Sequence, residues 1–234
     1  RVGRARGRQG RGRRDAGDGQ VTGEGNGRTP VHSPRTIVHL VRHGEVHNPS
    51  KILYGRLPGY RLSDRGRAMA EATAESFAGH DVAYVACSPL QRTRETSEPM
   101  TEVTGLDPVI DPDVLEAGNT FEGLHVKGWA SDLWNPKYWP RLRRPSLPSW
   151  GEHYEDIADR MFLAIDRARE AALGREAVIV THQLCVVAAG RRARDLPLAH
   201  NPANRQCDLS SVTSIVFLGD TIVDVRYAEP AGHL

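Results

Sequence analysis

Long apolar runs are missing from this 234-residue chain, and no uninterrupted stretch approaches the length that a bilayer-spanning helix needs. No membrane partner is therefore expected. Cysteine is scarce, with only Cys87, Cys185 and Cys207. That odd, scattered set suits neither a disulfide frame nor a paired metal motif, and it points to reduced thiols and a cytoplasmic location. Lysine occurs three times against 28 arginines, an imbalance that reflects codon composition rather than function. Methionine is absent before Met69.

Aliphatic side chains are nearly absent from residues 1–35, which hold nine arginines, nine glycines and three acids. Such a segment cannot bury enough apolar surface to order itself, and it lacks the apolar core of a secretory signal. An Arg/Gly tail can attract nucleic-acid phosphates. The whole chain carries +2, however, and the tail alone carries a surplus of six, so residues 36–234 carry about −4. That balance argues against a nucleic-acid-binding body. With Met69 the first methionine, the tail is expected to be an upstream stretch from an uncertain start, not a functional arm. A chain beginning near Pro34 should then match the full chain in turnover and melting temperature. A loss of activity of about tenfold or more would show that the tail takes part in the site.

What is present is a design repeated three times. Thr36-Ile37-Val38-His39-Leu40-Val41 is an apolar run that reads as a buried strand, and Arg42-His43-Gly44 follows it, with Gly44 free to turn sharply. Val82-Ala83-Tyr84-Val85-Ala86-Cys87 is followed by Ser88-Pro89-Leu90-Gln91-Arg92. There Ser88 reads as an N-cap, Pro89 as the first helical residue and Gln91 as the end of a capping box, which places Arg92 in a first helical turn. Ala177-Val178-Ile179-Val180 leads into Thr181-His182-Gln183. Each basic residue alone could be a solvated turn residue. If the three strands are neighbours, two arginines and two histidines converge at the sheet edge where open α/β folds bind ligands.

The full set of motifs resembles the histidine phosphatase superfamily, the phosphoglycerate-mutase-like proteins. It comprises Arg42-His43-Gly44-Glu45, Leu62-Ser63-Asp64-Arg65-Gly66, Ser88-Pro89-Leu90-Gln91-Arg92-Thr93, Leu115-Glu116, Gly151-Glu152 and Thr181-His182, in family order from about residue 36 to 227. The resemblance implies an α/β fold, a three-layer α/β/α sandwich with a mostly parallel central sheet. It implies a phosphomonoesterase working on a small phosphorylated metabolite, with no cofactor and no metal. Arg42 and Arg92 would clamp the phosphoryl group with His43 and His182. His43 would form a phosphohistidine, its second ring nitrogen donating to a backbone carbonyl. His182 would stabilise transition-state charge, and Glu116, with a raised pKa, would protonate the leaving alkoxide. Asn48, Gly55 and Arg56 match the substrate-contacting segment, where Arg56 would meet a second anionic group or remain a surface arginine.

The chain also departs from the glycolytic mutases. After Glu116 it carries Ala117-Gly118-Asn119-Thr120 in place of an Arg-His-Tyr-Gly stretch, and Gln183 replaces the usual glycine. A phosphatase is therefore favoured over a mutase-type phosphotransferase. A non-catalytic phosphate binder is the remaining alternative, disfavoured because it has no use for Glu116. A homodimer is left open. His43 and His47 are four apart, but Gly44 and Pro49 are poor helix company, so no zinc site is expected there.

Periodicity gives helices at about 64–78, 90–104, 154–173 and 184–194, with Ile157, Met161, Ala164, Ile165 and Ala168 on one helical face. Strands are expected at 82–87, 177–181 and near 108–111, and a closing hairpin joins 212–218 to 222–227. The boundaries expected are a tail at 1–35 and one domain at 36–234. Within the domain, the insertion 117–153 shows no period. Trp129, Trp134, Tyr138, Trp139 and Trp150 there are expected to pack as a lid over the pocket.

Overall fold

A computed structural model describes residues 33–126, 128, 131–142 and 151–234. All but three residues of the tail, and Trp129 and Trp150, lie outside the described residues. Ser33–Leu234 is one compact unit. The apolar runs become strands β1 (Arg35–Arg42), β2 (Val82–Cys87), β3 (Val109–Ile110), β4 (Glu176–Thr181), β5 (Val212–Leu218) and β6 (Thr221–Ala228). The amphipathic stretches become α1 (Asp64–Glu75), α2 (Gln91–Thr104), α3 (Tyr154–Ala171) and α4 (Gln183–Ala193).

The six strands form one sheet in the order β3-β2-β4-β1-β5-β6. β1–β4, β4–β2 and β2–β3 are parallel, whereas β5 runs antiparallel to both β1 and β6. Five of the six strands therefore share one direction. Residues alternate between the two faces of a strand, and the core divides accordingly. Val38 and Leu40 of β1 pack with Ile157, Met161 and Ile165 of α3 and with Cys185 and Val186 of α4. Val41 faces the other way, with Ala74 and Phe77 at the end of α1 and Met100 of α2. The result is the three-layer α/β/α sandwich expected.

One local expectation fails. α2 starts at Gln91, and its N-cap is Leu90, which makes no side-chain capping bond. Ser88 is fully buried ahead of the helix, and its hydroxyl oxygen accepts only the Leu90 N–H, at 3.5 Å, on the helix side. Gly44 also has a different reason from the one expected. It is not among the positive-φ glycines, but a Cβ there would lie 2.5 Å from the carbonyl oxygen of Gly66. A Cβ on Gly66 would in turn lie 2.0 Å from the carbonyl oxygen of Glu45. The two glycines let the loop after β1 cross the start of α1 at backbone contact. Glu45 and Ser63 then lock the crossing: the Ser63 hydroxyl donates to Glu45 Oε1 at 2.7 Å and accepts from the Gly66 N–H at 3.0 Å.

Among its described residues the insertion has 3₁₀ helices at Asp132–Trp134 and Pro136–Leu142. An isolated bridge between Asn119 and Gly151 joins its two ends. Trp134 and Trp139 are exposed, and Tyr138 meets Phe121 edge-on at 5.9 Å between ring centroids. These three do not line the main cavity, so the part of the expected aromatic lid that can be described is not over it.

Candidate active site

The carboxyl ends of β1, β4 and β2 lie side by side, with Arg42 in register with Thr181 and Cys87 with Val180. Strand pairing runs on past the ladder, through His43 N–H to Thr181 O at 3.0 Å and Ser88 N–H to Val180 O at 3.0 Å. Arg42-His43, Thr181-His182 and Ser88 through Arg92 are thereby delivered to one place. His43 is 2 % exposed, His182 0 % and Arg92 1 %. The two imidazoles stand 5.3 Å apart between centroids.

Hydrogen bonding fixes the proton on each ring. Nδ1 of His43 lies 2.8 Å from the carbonyl oxygen of Gly44. A carbonyl only accepts, so Nδ1 carries the proton and Nε2 keeps its lone pair. Burial, then Arg92 and Arg42, hold the His43 pKa well below its ordinary value, against the opposing pull of the Gly44 bond. At His182, Nδ1 lies 3.1 Å from an amino group of Arg92. A guanidinium can only donate, so Nδ1 accepts and Nε2 donates to Ser88 Oγ at 2.8 Å. Arg92 thus sets the tautomer of His182 and Ser88 receives its ring proton, a role that a capping reading of the sequence conceals. His182 is also held neutral, first by burial and then by the fields of His43 and the nearby arginines.

The arginines are anchored to backbone carbonyls, Arg92 in addition to its bond with His182. Arg42 donates an amino N–H to Cys207 O at 2.6 Å, and Arg92 donates one to Gly55 O at 2.8 Å. The Nε of each is buried and has no hydrogen-bond partner among the described residues. Buried donors of this kind are costly unless an anion meets them. The Arg92 guanidinium also lies 4.9 Å over the Tyr54 ring.

Glu116 follows a 3₁₀ turn at Pro112–Val114. Thr181 Oγ1 donates to Val114 O at 2.7 Å and Cys185 Sγ to Leu115 O at 3.1 Å. Those bonds pin Glu116 against β4 and α4. Its Oε2 lies 3.8 Å from His182 Nδ1, and its Oε1 accepts the N–H of Ala117 at 2.9 Å. Burial raises its pKa, opposed by that N–H and by Arg92, Arg42 and Arg160.

The remaining expected residues divide. Asn48 closes the loop after β1, donating to Ile52 O at 2.8 Å and accepting from its N–H at 3.3 Å. It lines a cavity of about 850 Å³ together with Arg42, His43, Tyr54, Gly55, Glu116 and Gln183. Gly55 has φ of +41°, and a Cβ there would fall 2.2 Å from Glu122 Oε1. Arg56 does not line this cavity. Its Nε donates to Glu116 O at 2.6 Å and an amino group to Glu152 Oε2 at 2.9 Å. Glu152 also receives Arg160 at 2.7 and 3.2 Å. Burial disfavours charge on Glu152, yet Arg160, the Gly118 N–H and Arg56 together keep its pKa below the ordinary value. Arg56, Glu152 and Arg160 therefore brace the backbone that carries Glu116. His47 is exposed, and the loop that holds it is not helical.

The profile of the histidine phosphatase superfamily (branch 1) matches residues 38–229. The uncharacterized protein Rv0525 of Mycobacterium tuberculosis is 49% identical over 197 residues, spanning 84% of this chain and 97% of that protein. The probable phosphoglycerate mutase GpmB of Photorhabdus laumondii is 26% identical over 182 residues, 75% of this chain and 83% of that protein. Among solved structures, the mycobacterial glucosyl-3-phosphoglycerate phosphatase Rv2419c in complex with VO3 superposes with a TM-score of 0.65 at 26% identity. The match covers 84% of this chain and 98% of that one.

Proposed function

Because the chain belongs to the histidine phosphatase superfamily, we propose that it is a phosphomonoesterase that passes the phosphoryl group of a small metabolite through His43. The observation that carries this reading is the pairing at His43. Its Nδ1–H is committed to Gly44 O, so a neutral ring offers Nε2 as a nucleophile at ordinary pH.

In the first half-reaction Nε2 of His43 attacks phosphorus, and the bond from phosphorus to the ester oxygen breaks. The proton of the Glu116 carboxyl passes to the leaving alkoxide, giving an alcohol and a phosphohistidine. In the second, the Glu116 carboxylate takes a proton from water as its oxygen attacks phosphorus. The N–P bond breaks, and inorganic phosphate and neutral His43 are restored. Arg42 and Arg92 hold the equatorial oxygens throughout. A dianion between them offsets the positive fields that add to burial in keeping His182 neutral, so phosphate binding favours an imidazolium whose Nδ1–H joins the clamp as the Arg92 amino group turns from Nδ1 to a phosphoryl oxygen.

Ala117, Gly118 and Asn119 form the wall beside Glu116 and carry no charge, which suits a hydrolase better than a mutase that must hold a second phosphate. Cys87, Cys185 and Cys207 are buried free thiols, in keeping with a cytoplasmic setting, and no described helix is long and apolar enough to cross a membrane. Arg42 and Arg92 supply the charge that a metal would otherwise bring. Turnover should therefore survive dialysis against EDTA. Activity lost on dialysis and regained only with a divalent ion would overturn that part of the scheme.

The test of the whole is a brief incubation with labelled phosphoester followed by quenching. The protein should carry one acid-labile, base-stable phosphate, placed on His43 by peptide mapping. An unlabelled protein during rapid turnover would rule out the phosphohistidine route.

A further inference from the structure

A second cluster of histidines and a carboxylate sits away from the catalytic pocket. His39 lies in β1, four residues before His43 and about 13 Å back along the strand. His80 precedes β2, and Glu176 is the first residue of β4, at the end opposite Thr181-His182. Nε2 of His39 lies 3.0 Å from Glu176 Oε2, and Nδ1 of His80 lies 2.7 Å from the same oxygen. One donor atom from each of the three residues falls within 4.8 Å of the others. Exposure grades across the trio: the side chains of His39, Glu176 and His80 are 8, 19 and 42 % exposed.

We propose that His39, His80 and Glu176 form a zinc site, with three protein ligands and a fourth, solvent-facing position. Two imidazoles and one carboxylate are a donor set that zinc accepts in tetrahedral geometry, whereas magnesium and calcium prefer oxygen alone. Donors about 2.0–2.1 Å from a tetrahedral ion stand roughly 3.3 Å apart. The spacings of 3.0 and 2.7 Å therefore need to open by about 0.3 and 0.6 Å, with the two histidine donors already within 4.8 Å of each other.

The surroundings fit a held ligand. Nδ1 of His39 is 2.8 Å from Ser214 Oγ in β5. When Nε2 gives its lone pair to the ion, the ring proton moves to Nδ1 and is donated to that hydroxyl, the outer-sphere bond metal-bound histidines usually make. Phe77 packs edge-on to both rings, at 5.0 Å from His39 and 5.5 Å from His80. The ion would tie β1, the α1–β2 connection and β4 together, so its effect would fall on stability, not on phosphoryl transfer.

The experiment is a zinc titration of the EDTA-treated full chain by calorimetry, run on wild type, His43→Ala, His80→Ala and Glu176→Gln. His43, Glu116 and His182 also cluster closely enough to hold an ion, which is why the first variant is included. Zinc should bind to wild type and to His43→Ala, and raise the melting temperature of both. In His80→Ala, whose changed side chain is at the surface, affinity should fall by about 100-fold or more, past the loss expected from an outer-sphere partner. Glu176→Gln should behave alike. Cobalt should give intense visible bands in His43→Ala that disappear on adding His80→Ala. Zinc binding that survives His80→Ala and vanishes in His43→Ala would put the ion in the catalytic pocket and overturn the proposal. Absence of binding to wild type would do the same.

Discussion

His43→Ala should abolish the acid-labile phosphate on the protein and lower turnover by about 10,000-fold or more, the scale on which removing a covalent nucleophile acts. The loss should fall on chemistry and not on binding. Arg42 and Arg92 are anchored to Cys207 O and Gly55 O, not to the imidazole, so the clamp persists without the ring. Inorganic phosphate should still bind to the variant, measured by calorimetry, with an affinity within about tenfold of wild type. The pH profile adds a second check. Because His43 is kept neutral by burial and by the two arginines, phosphorylation of the wild-type protein should persist at pH values where an ordinary histidine is protonated. A variant that turns over like wild type would show that another group attacks phosphorus.

Much of this architecture is legible in the amino-acid sequence. The run from Thr36 to Val41 becomes a central strand with Val38, Leu40 and Val41 fully buried, because an apolar stretch of that length has no better place than the middle of a sheet. The helical face of Ile157, Met161, Ala164, Ile165 and Ala168 is likewise buried throughout. Local pattern fails where a distant group competes. Ser88-Pro89-Leu90-Gln91 satisfies a capping box in one dimension, yet His182, 94 residues on, claims the hydroxyl. Gly44 suggests a turn, whereas its real constraint is the backbone of Gly66. Arg56 looks like a free cation until Glu152, 96 residues away, is placed beside it. His39 is one histidine in an apolar strand, and nothing near it in sequence marks Glu176 as its partner. The described residues of the insertion include 3₁₀ helices at Asp132–Trp134 and Pro136–Leu142, whose turn of three residues leaves no α-helical period to read.

Glu116→Gln should separate substrates by leaving group. General acid catalysis typically contributes about 100- to 10,000-fold, and that contribution is needed only where the departing oxygen is strongly basic. With an alkyl phosphate, kcat/KM should fall within that range. With p-nitrophenyl phosphate, whose phenolate leaves as a stable anion, phosphorylation of His43 should be nearly unchanged. The second half-reaction still needs a base, so the phosphohistidine should accumulate, giving a burst of p-nitrophenol followed by slow turnover. The environment of Glu116 sets the pH dependence. Burial raises its pKa, so the protonated form survives to higher pH than for an ordinary glutamate. The alkyl reaction should decline as pH rises through that raised pKa, and this limb should be missing from the burst phase with p-nitrophenyl phosphate. Gln at 116 keeps the size of the side chain and its hydrogen-bond acceptor for the Ala117 N–H, so neither the fold nor phosphate binding should change. Equal and minor losses on both substrates would assign the proton to another acid. Glu45 is engaged by Ser63 and Arg65, and Glu122 by the Arg56 N–H, so either could serve only by breaking those bonds.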